Sequence, residues 1–159
     1  MLRIGVVVAS ARWKSAGNAG ALVRRAIAAA AKSVAHRDGE VAVVLTDDAG
    51  IRKLNRDWRR KDVATNVLAF PAGPLSIVRG APRLLGDIVI AYETTLREAS
   101  TGHMPLDHHL AHLAVHGFLH LLGYDHGSDE EADRMESLER TILAGLDVPD
   151  PYRPQARRS

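Results

Sequence analysis

Cysteine is absent from all 159 residues, which excludes disulfides, thiolate catalysis and thiolate-ligated metal sites together. Any transition metal has to be held by histidine or carboxylate. Long apolar runs are missing as well. The apolar stretch near the start, Ile4 to Ala9, is too short for the hydrophobic region of a secretory signal, and nothing approaches the ~20 residues that cross a bilayer. A cytoplasmic location away from membranes is the expectation. Aromatic residues are few, with two Phe, two Trp and three Tyr, which predicts little platform for stacking nucleobases. Recognition of a nucleic acid would then rest on backbone charge and be salt-sensitive. Excess charge is slight too, at +2 overall.

What is present is the composition of an ordinary globular protein, 46% hydrophobic and 25% charged. The length suits one domain with a real core, expected over residues 1–146. The Pro- and Arg-rich remainder, 147–159, is expected to be a flexible tail. A small net charge can hide a local patch, and Arg supplies 17 of the 21 basic residues. The densest patch is "LNRDWRRKD", which places Arg56, Arg59, Arg60 and Lys61 together. Such a run is either a solvated helix face or a surface for phosphates.

Patterning predicts strands at Arg3–Ser10, Val41–Thr46, Asn66–Phe70 and Gly86–Tyr92, each short and the first rich in β-branched residues. Asn18 caps a helix whose Ala19, Leu22, Val23, Ala26, Ile27 and Ala30 share a face. Asp47 and Asp48 suit the start of another, with Ile51, Leu54 and Trp58 as its apolar stripe. A loop from Pro71 to Leu85 joins the last two strands, long enough to be functional or disordered. Helices follow over Thr94–Ser100, Leu106–Leu122 and a stretch opened by Ser128 and Glu131, with Met135, Leu138 and Ile142 inward. This order predicts an α/β (α+β) fold, a small four-stranded mixed sheet flanked by about five helices, with the last two strands antiparallel.

The chemistry concentrates in "HGFLHLLGYDH", residues 116–126. Residues four apart share a helix face, so His116 and His120 project together, and Gly123 stops the helix so that the chain can return with His126. Three neutral imidazoles suit zinc, though other divalent transition metals fit the same donors. Three protein ligands leave a position open, as in catalytic rather than structural sites. The spacing is that of the zinc-protease pattern HExxHxxGxxH with one exception. Gly117 stands where that pattern has the glutamate that moves protons in amide hydrolysis. A phosphodiester makes different demands, namely neutralised oxygens and a stabilised leaving oxygen, which a metal and an Arg can meet without that carboxylate. His112 continues the histidine stripe one turn earlier, as a proton shuttle, a supporting group or an RNA contact. His109 and Asp125 are further candidates for support behind the ligands, although Asp125 equally suits a turn cap.

These residues resemble the YbeY family of metal-dependent endoribonucleases. "HLAVHGFLHLLGYDH" is similar to the family's signature, "LNRDWRRKDVATNVLAFP" to its upstream block, "LLGDIVIAYET" to its Gly-Asp strand and "DEEADRMESLERTIL" to its last helix. Ala64 and Ala69 depart from a usual Pro and Ser. The resemblance implies His116, His120 and His126 as the ligands of one zinc ion on a zincin-like helix, and Arg59 as the catalytic phosphate-binding residue. It places His112 on a family histidine. It further implies single-strand-specific cleavage of ribosomal RNA in maturation of the 16S 3′ end and in ribosome quality control, with the small ribosomal subunit as partner. Two other readings share the residues: a metalloprotease-like hydrolase, against which Gly117 counts, and a non-catalytic assembly factor whose metal only holds the fold.

Overall fold

Strands whose alternate residues are fully buried have to be covered on at least one face, and those buried throughout on both. The computed structural model, which describes residues 1–36, 38–72 and 83–152, shows both cases. Strands β1 (Leu2–Val8), β2 (Gly39–Thr46), β3 (Val67–Pro71) and β4 (Leu84–Ala91) form one sheet in the order β1-β2-β4-β3. The first three neighbours in that order are parallel, and β3 runs antiparallel to β4 at the edge, from Val67 opposite Ile90 to Pro71 opposite Gly86. The expected mixed sheet is therefore present. The segment joining β3 to β4 was expected to be a long loop, and its residues 73–82 lie outside those described.

The helices are α1 (Ala19–Ser33), α2 (Asp48–Arg59), α3 (Tyr92–Thr101), α4 (Leu106–Leu121) and α5 (Asp129–Ala144), preceded by a 3₁₀ turn at Ala11–Ala16. Their starts follow the anticipated caps. Asn18 accepts from the Ala21 amide, Asp47 from Gly50 and Ser128 from Glu131, each satisfying an amide that the first helical turn leaves without a partner. Strand β4 extends through Ala91, and Tyr92 opens α3 instead of closing the strand.

Period-two burial divides the side chains of β2 and β4 between two cores. Val41, Val43, Leu45, Ile88 and Ile90 join α1, α4 and α5 in the main core. Val89 and Ala91 point the other way, into a smaller core with Ile51 of α2 and Leu68 of β3. Two expectations change here. Trp58 was expected on the inward stripe of α2, but it is 74% exposed, because the last turn of the helix passes beyond the second core. The segment after residue 146 was expected to fray, yet Val148 packs into the main core and Tyr152 is half-buried against α4 and α5. Residues 153–159 of that tail lie outside those described.

Gly86 sits at the end of the β3–β4 ladder with φ +142°, and a Cβ there would overlap the Phe70 carbonyl oxygen and meet Leu121 at 2.8 Å. The Leu121 methyl can turn aside, but the Phe70 carbonyl is backbone and the positive φ belongs to the chain itself, so a side-chain shift relieves neither of these. Gly86→Ala is expected to lower the unfolding free energy by roughly 2–4 kcal/mol in urea titrations. Gly5→Ala, with nothing within 4 Å of its Cβ, should change it by less than about 1 kcal/mol.

Candidate metal centre

Helix α4 is apolar on nearly every side, with Leu110, Ala111, Leu113, Ala114, Val115, Phe118 and Leu119 all buried among the sheet, α1, α3 and α5. A helix surrounded in this way is a fixed post. The exception to its apolar surface is the histidine stripe, whose His112, His116 and His120 are only partly buried. The helix ends with Leu122 as its cap and Gly123 at φ +97°, a left-handed conformation that glycine adopts without strain. The Gly123 and Tyr124 amides donate back to the His120 and Leu119 carbonyls, and the chain turns to bring His126 alongside.

One ring nitrogen from each of His116, His120 and His126 lies within 4.8 Å of the other two. The His116 and His120 Nε2 atoms are 3.0 Å apart, and the His126 ring stacks on His116 at 5.2 Å between centroids. Two zinc–nitrogen bonds of ~2.0–2.1 Å at a tetrahedral angle separate their nitrogens by about 3.3 Å, so this donor set fits one ion with little adjustment. Burial, then the neighbouring His116 and His126, lowers the His120 pKa and favours the neutral imidazole that a metal requires.

The group that orients the set was not among the residues read from the sequence. Glu139 of α5 is fully buried, and its Oε1 accepts from His116 Nδ1 at 2.5 Å. That bond fixes the proton on Nδ1 and turns the Nε2 lone pair toward His120 and His126. The other carboxylate oxygen accepts from Tyr152 Oη and from His112 Nε2, the latter at 3.3 Å. Burial alone would raise the Glu139 pKa, but the hydrogen bonds from His112, His116 and Tyr152 overcome it and hold the carboxyl at about 2. Tyr152 is correspondingly shifted upward, by burial and then by its bond to the carboxylate. His112, His116 and Glu139 form a second metal-compatible group by proximity. Two of its members share the 2.5 Å hydrogen bond that orients His116 toward the first group.

A sequence signal for Glu139 exists in retrospect. It lies four residues after Met135 and three before Ile142, a carboxylate on the buried stripe of α5. Nothing in the sequence marks Tyr152. The other sequence candidates fall in three places. His112 stands behind His116, 15% exposed at its side chain and bonded to Glu139 and Tyr152. Asp125 accepts from the His126 backbone amide at 2.7 Å, so it caps the turn and makes no bond to a ligand ring. His109 bonds Glu98 of α3 at 2.8 Å, and Glu98 also accepts from Asn66 at 2.9 Å, a network beside the centre and not part of it.

The histidines open onto a cleft of about 530 Å³ lined by Trp58, Arg59, Phe70, His116, His120 and Tyr124, among others. Arg59 ends α2, where Arg60 adopts φ +58° and the chain turns back through Asn55 Nδ2 donating to the Val63 carbonyl. No described carboxylate pairs with Arg59, whereas Arg52 is held by Asp62 and Arg56 by Asp57. Gly117 also lines the cleft, and a Cβ there would lie 2.9 Å from the fully buried Ile88 of β4. The glycine lets α4 lie directly on the sheet, so a glutamate would have to displace Ile88.

Fold and site together define a single-domain α/β protein with a three-histidine candidate metal centre beside an unpaired arginine. The family profile described as Endoribonuclease YbeY matches residues 10–147. The chain is 55% identical to "Endoribonuclease YbeY" of Nitrobacter hamburgensis, over 96% of this chain and 83% of that protein. It is 56% identical to the Bradyrhizobium sp. protein of the same name, over 96% and 93%. The solution structure of TM1509 from Thermotoga maritima shares the fold, with a TM-score of 0.57 at 22% identity over 99% of this chain and all of that one. The chain belongs to the YbeY family.

Two outcomes are expected of Glu139→Gln. Zinc affinity, read by competition with a chromogenic chelator, falls about 10- to 100-fold, because the charged acceptor that orients and polarises the His116 ring becomes a neutral amide with a single acceptor oxygen. The second concerns acid. The Glu139 carboxyl is depressed from 4.5 to about 2 on folding, so its contribution of about 3 kcal/mol is complete above pH 4.5 and is lost as pH falls toward 2. The stability difference between wild type and Glu139→Gln is therefore expected to shrink over that acid range in pH-dependent melts.

Proposed function

We propose that the cleft at the end of α4 is where this rRNA-processing endoribonuclease cuts single-stranded RNA, with His116, His120 and His126 as the ligands of one divalent ion, zinc in the simplest case. The observation that carries this reading is the joint presence of the His116 and His120 imidazoles, with His126 beside them, and the unpaired Arg59 guanidinium on one cleft. A metal bound there supplies Lewis-acid stabilisation of charge on a phosphate oxygen. The residues of the chain do the rest. The planar fork of Arg59 takes two non-bridging oxygens and fixes the scissile phosphate against the histidine wall. Glu139 keeps His116 in one tautomer throughout, and His112 and Tyr152 hold that carboxylate from behind. His112 is thus a positioning residue in this reading, while Arg59 is catalytic.

The absence of a side chain at Gly117 agrees with phosphate chemistry, since no carboxylate is needed to deliver a proton to an amine leaving group. Relatives named as endoribonucleases at 55–56% identity add weight to an RNA substrate. The small ribosomal subunit as partner, the 3′ end of 16S RNA as target and a cytoplasmic location follow from the same reading. No described helix is long and apolar enough to cross a membrane.

The test joins metal content and cleavage on the same purified samples. His120→Ala is expected to lose both the metal and RNA cleavage. Arg59→Ala is expected to keep about one metal per chain and lose roughly 10²- to 10³-fold in kcat, the magnitude of removing one preorganised donor to developing charge. Chelation of the wild type should abolish cleavage and zinc restore it. If both variants cut RNA as the wild type does, the activity belongs to a contaminant and a metal-stabilised assembly factor becomes the better description.

A further inference from the structure

Large side chains exposed among the described residues are mostly aliphatic and dispersed, and Trp58 is the aromatic exception at 74% exposure. The other tryptophan shows what this chain does with an indole used for packing. Trp13 is 1% exposed, donates its Nε1 hydrogen to the Thr46 carbonyl at 2.7 Å and meets Tyr92 edge-on. Trp58 has no hydrogen bond or ring partner among the described residues, and it anchors nothing in the second core. An indole left in water forgoes the burial that makes tryptophan a predominantly interior residue.

Its surroundings point to an occupant. Trp58 lines the same cleft as Phe70 and Tyr124, so three of the chain's seven aromatic residues border it together with His116 and His120. The scarcity of aromatics had predicted little platform for stacking, but the fold gathers nearly half of them in one place. Directly after Trp58 come Arg59, Arg60 and Lys61, exposed cations that make no ion pair among the described residues. Aromatic faces interleaved with free cations are complementary to bases interleaved with phosphates. The cleft volume of about 530 Å³ falls within the ~300–1,000 Å³ of small-molecule sites in general.

We propose that Trp58 is the stacking platform for an unpaired base next to the scissile phosphate, and that this contact selects single-stranded over duplex RNA. The proposal rests on the nuclease reading above and deepens it. In a duplex both faces of a base are covered by its neighbours, so the indole has nothing to stack on. In a single strand one base turns onto Trp58 while its phosphate reaches Arg59, one residue along. Because every base has a π-face, the contact discriminates strandedness rather than sequence.

The experiment uses the metal-loaded protein and intrinsic fluorescence. Trp13 is shielded in the core, so quenching on titration reports Trp58. The probes are a uridine-rich single strand, the same strand annealed to its complement, and a strand carrying an abasic ribose at each position in turn. The wild type is expected to be quenched by the single strand and far less by the duplex, and one abasic position should remove most of the quenching. Read by the anisotropy of an end-labelled strand, which needs no tryptophan, Trp58→Ala should bind the single strand roughly 5- to 100-fold more weakly, with metal content and melting temperature unchanged, and Trp58→Phe should recover most of the affinity. Single-strand cleavage by Trp58→Ala should fall through KM more than kcat. If the wild type cuts RNA but Trp58→Ala binds and cuts the single strand as tightly, the platform is wrong and the nuclease reading survives. If the wild type neither binds nor cuts RNA, both fall together.

Discussion

The Glu139 carboxylate is the contact on which the rest of the centre depends. A buried charge is tolerated only where its lone pairs are taken up, and here three donors from two parts of the chain do so. His116 and His112 come from α4, and Tyr152 from the segment after α5. The carboxylate thereby locks α5 against α4 and draws residues 147–152 onto the domain. It also decides which nitrogen of His116 faces the cleft. One buried ion therefore serves both the packing of the C-terminal part and the chemistry of the site.

A second constraint is the close approach of α4 to the sheet. Ile88 occupies the space beside Gly117, and that contact lets a helix buried on almost all sides sit over β4. The position that would hold a proton-shuttling glutamate in a peptidase is filled here by the sheet's own side chain. The other half of the site then has to arrive from elsewhere. It comes from the last turn of α2, on the opposite face of the sheet, whose Trp58 and Arg59 reach past the edge strand β3. The cleft is thus built around a sheet edge, between a rigid histidine wall and a cationic, aromatic rim.

Different parts of this arrangement were legible in the sequence to different degrees. The mixed sheet, the helix caps and the turn at Gly123 follow from local rules that operate over a few residues, and they appear within a residue or two of expectation. Trp58 was misassigned because helical periodicity states which residues share a face and not where the sheet beneath that face ends. Residues 147–152 differ from expectation because the Pro and Arg content of that segment reads as flexible while Val148 and Tyr152 carry packing. Asp125 and His109 were plausible by proximity in the chain, yet each bonds elsewhere.

By itself the sequence determined the three convergent imidazoles, because a four-residue helical spacing and a glycine stop leave His116, His120 and His126 few other places to go. It also excluded thiolate ligands and the peptidase carboxylate outright. Only the tertiary structure decided which residue orients those imidazoles and which cation and aromatic face them. Glu139 lies 23 residues from His116 and Arg59 is more distant still. Contacts of that separation are set by how helices pack on the sheet, which no local pattern encodes.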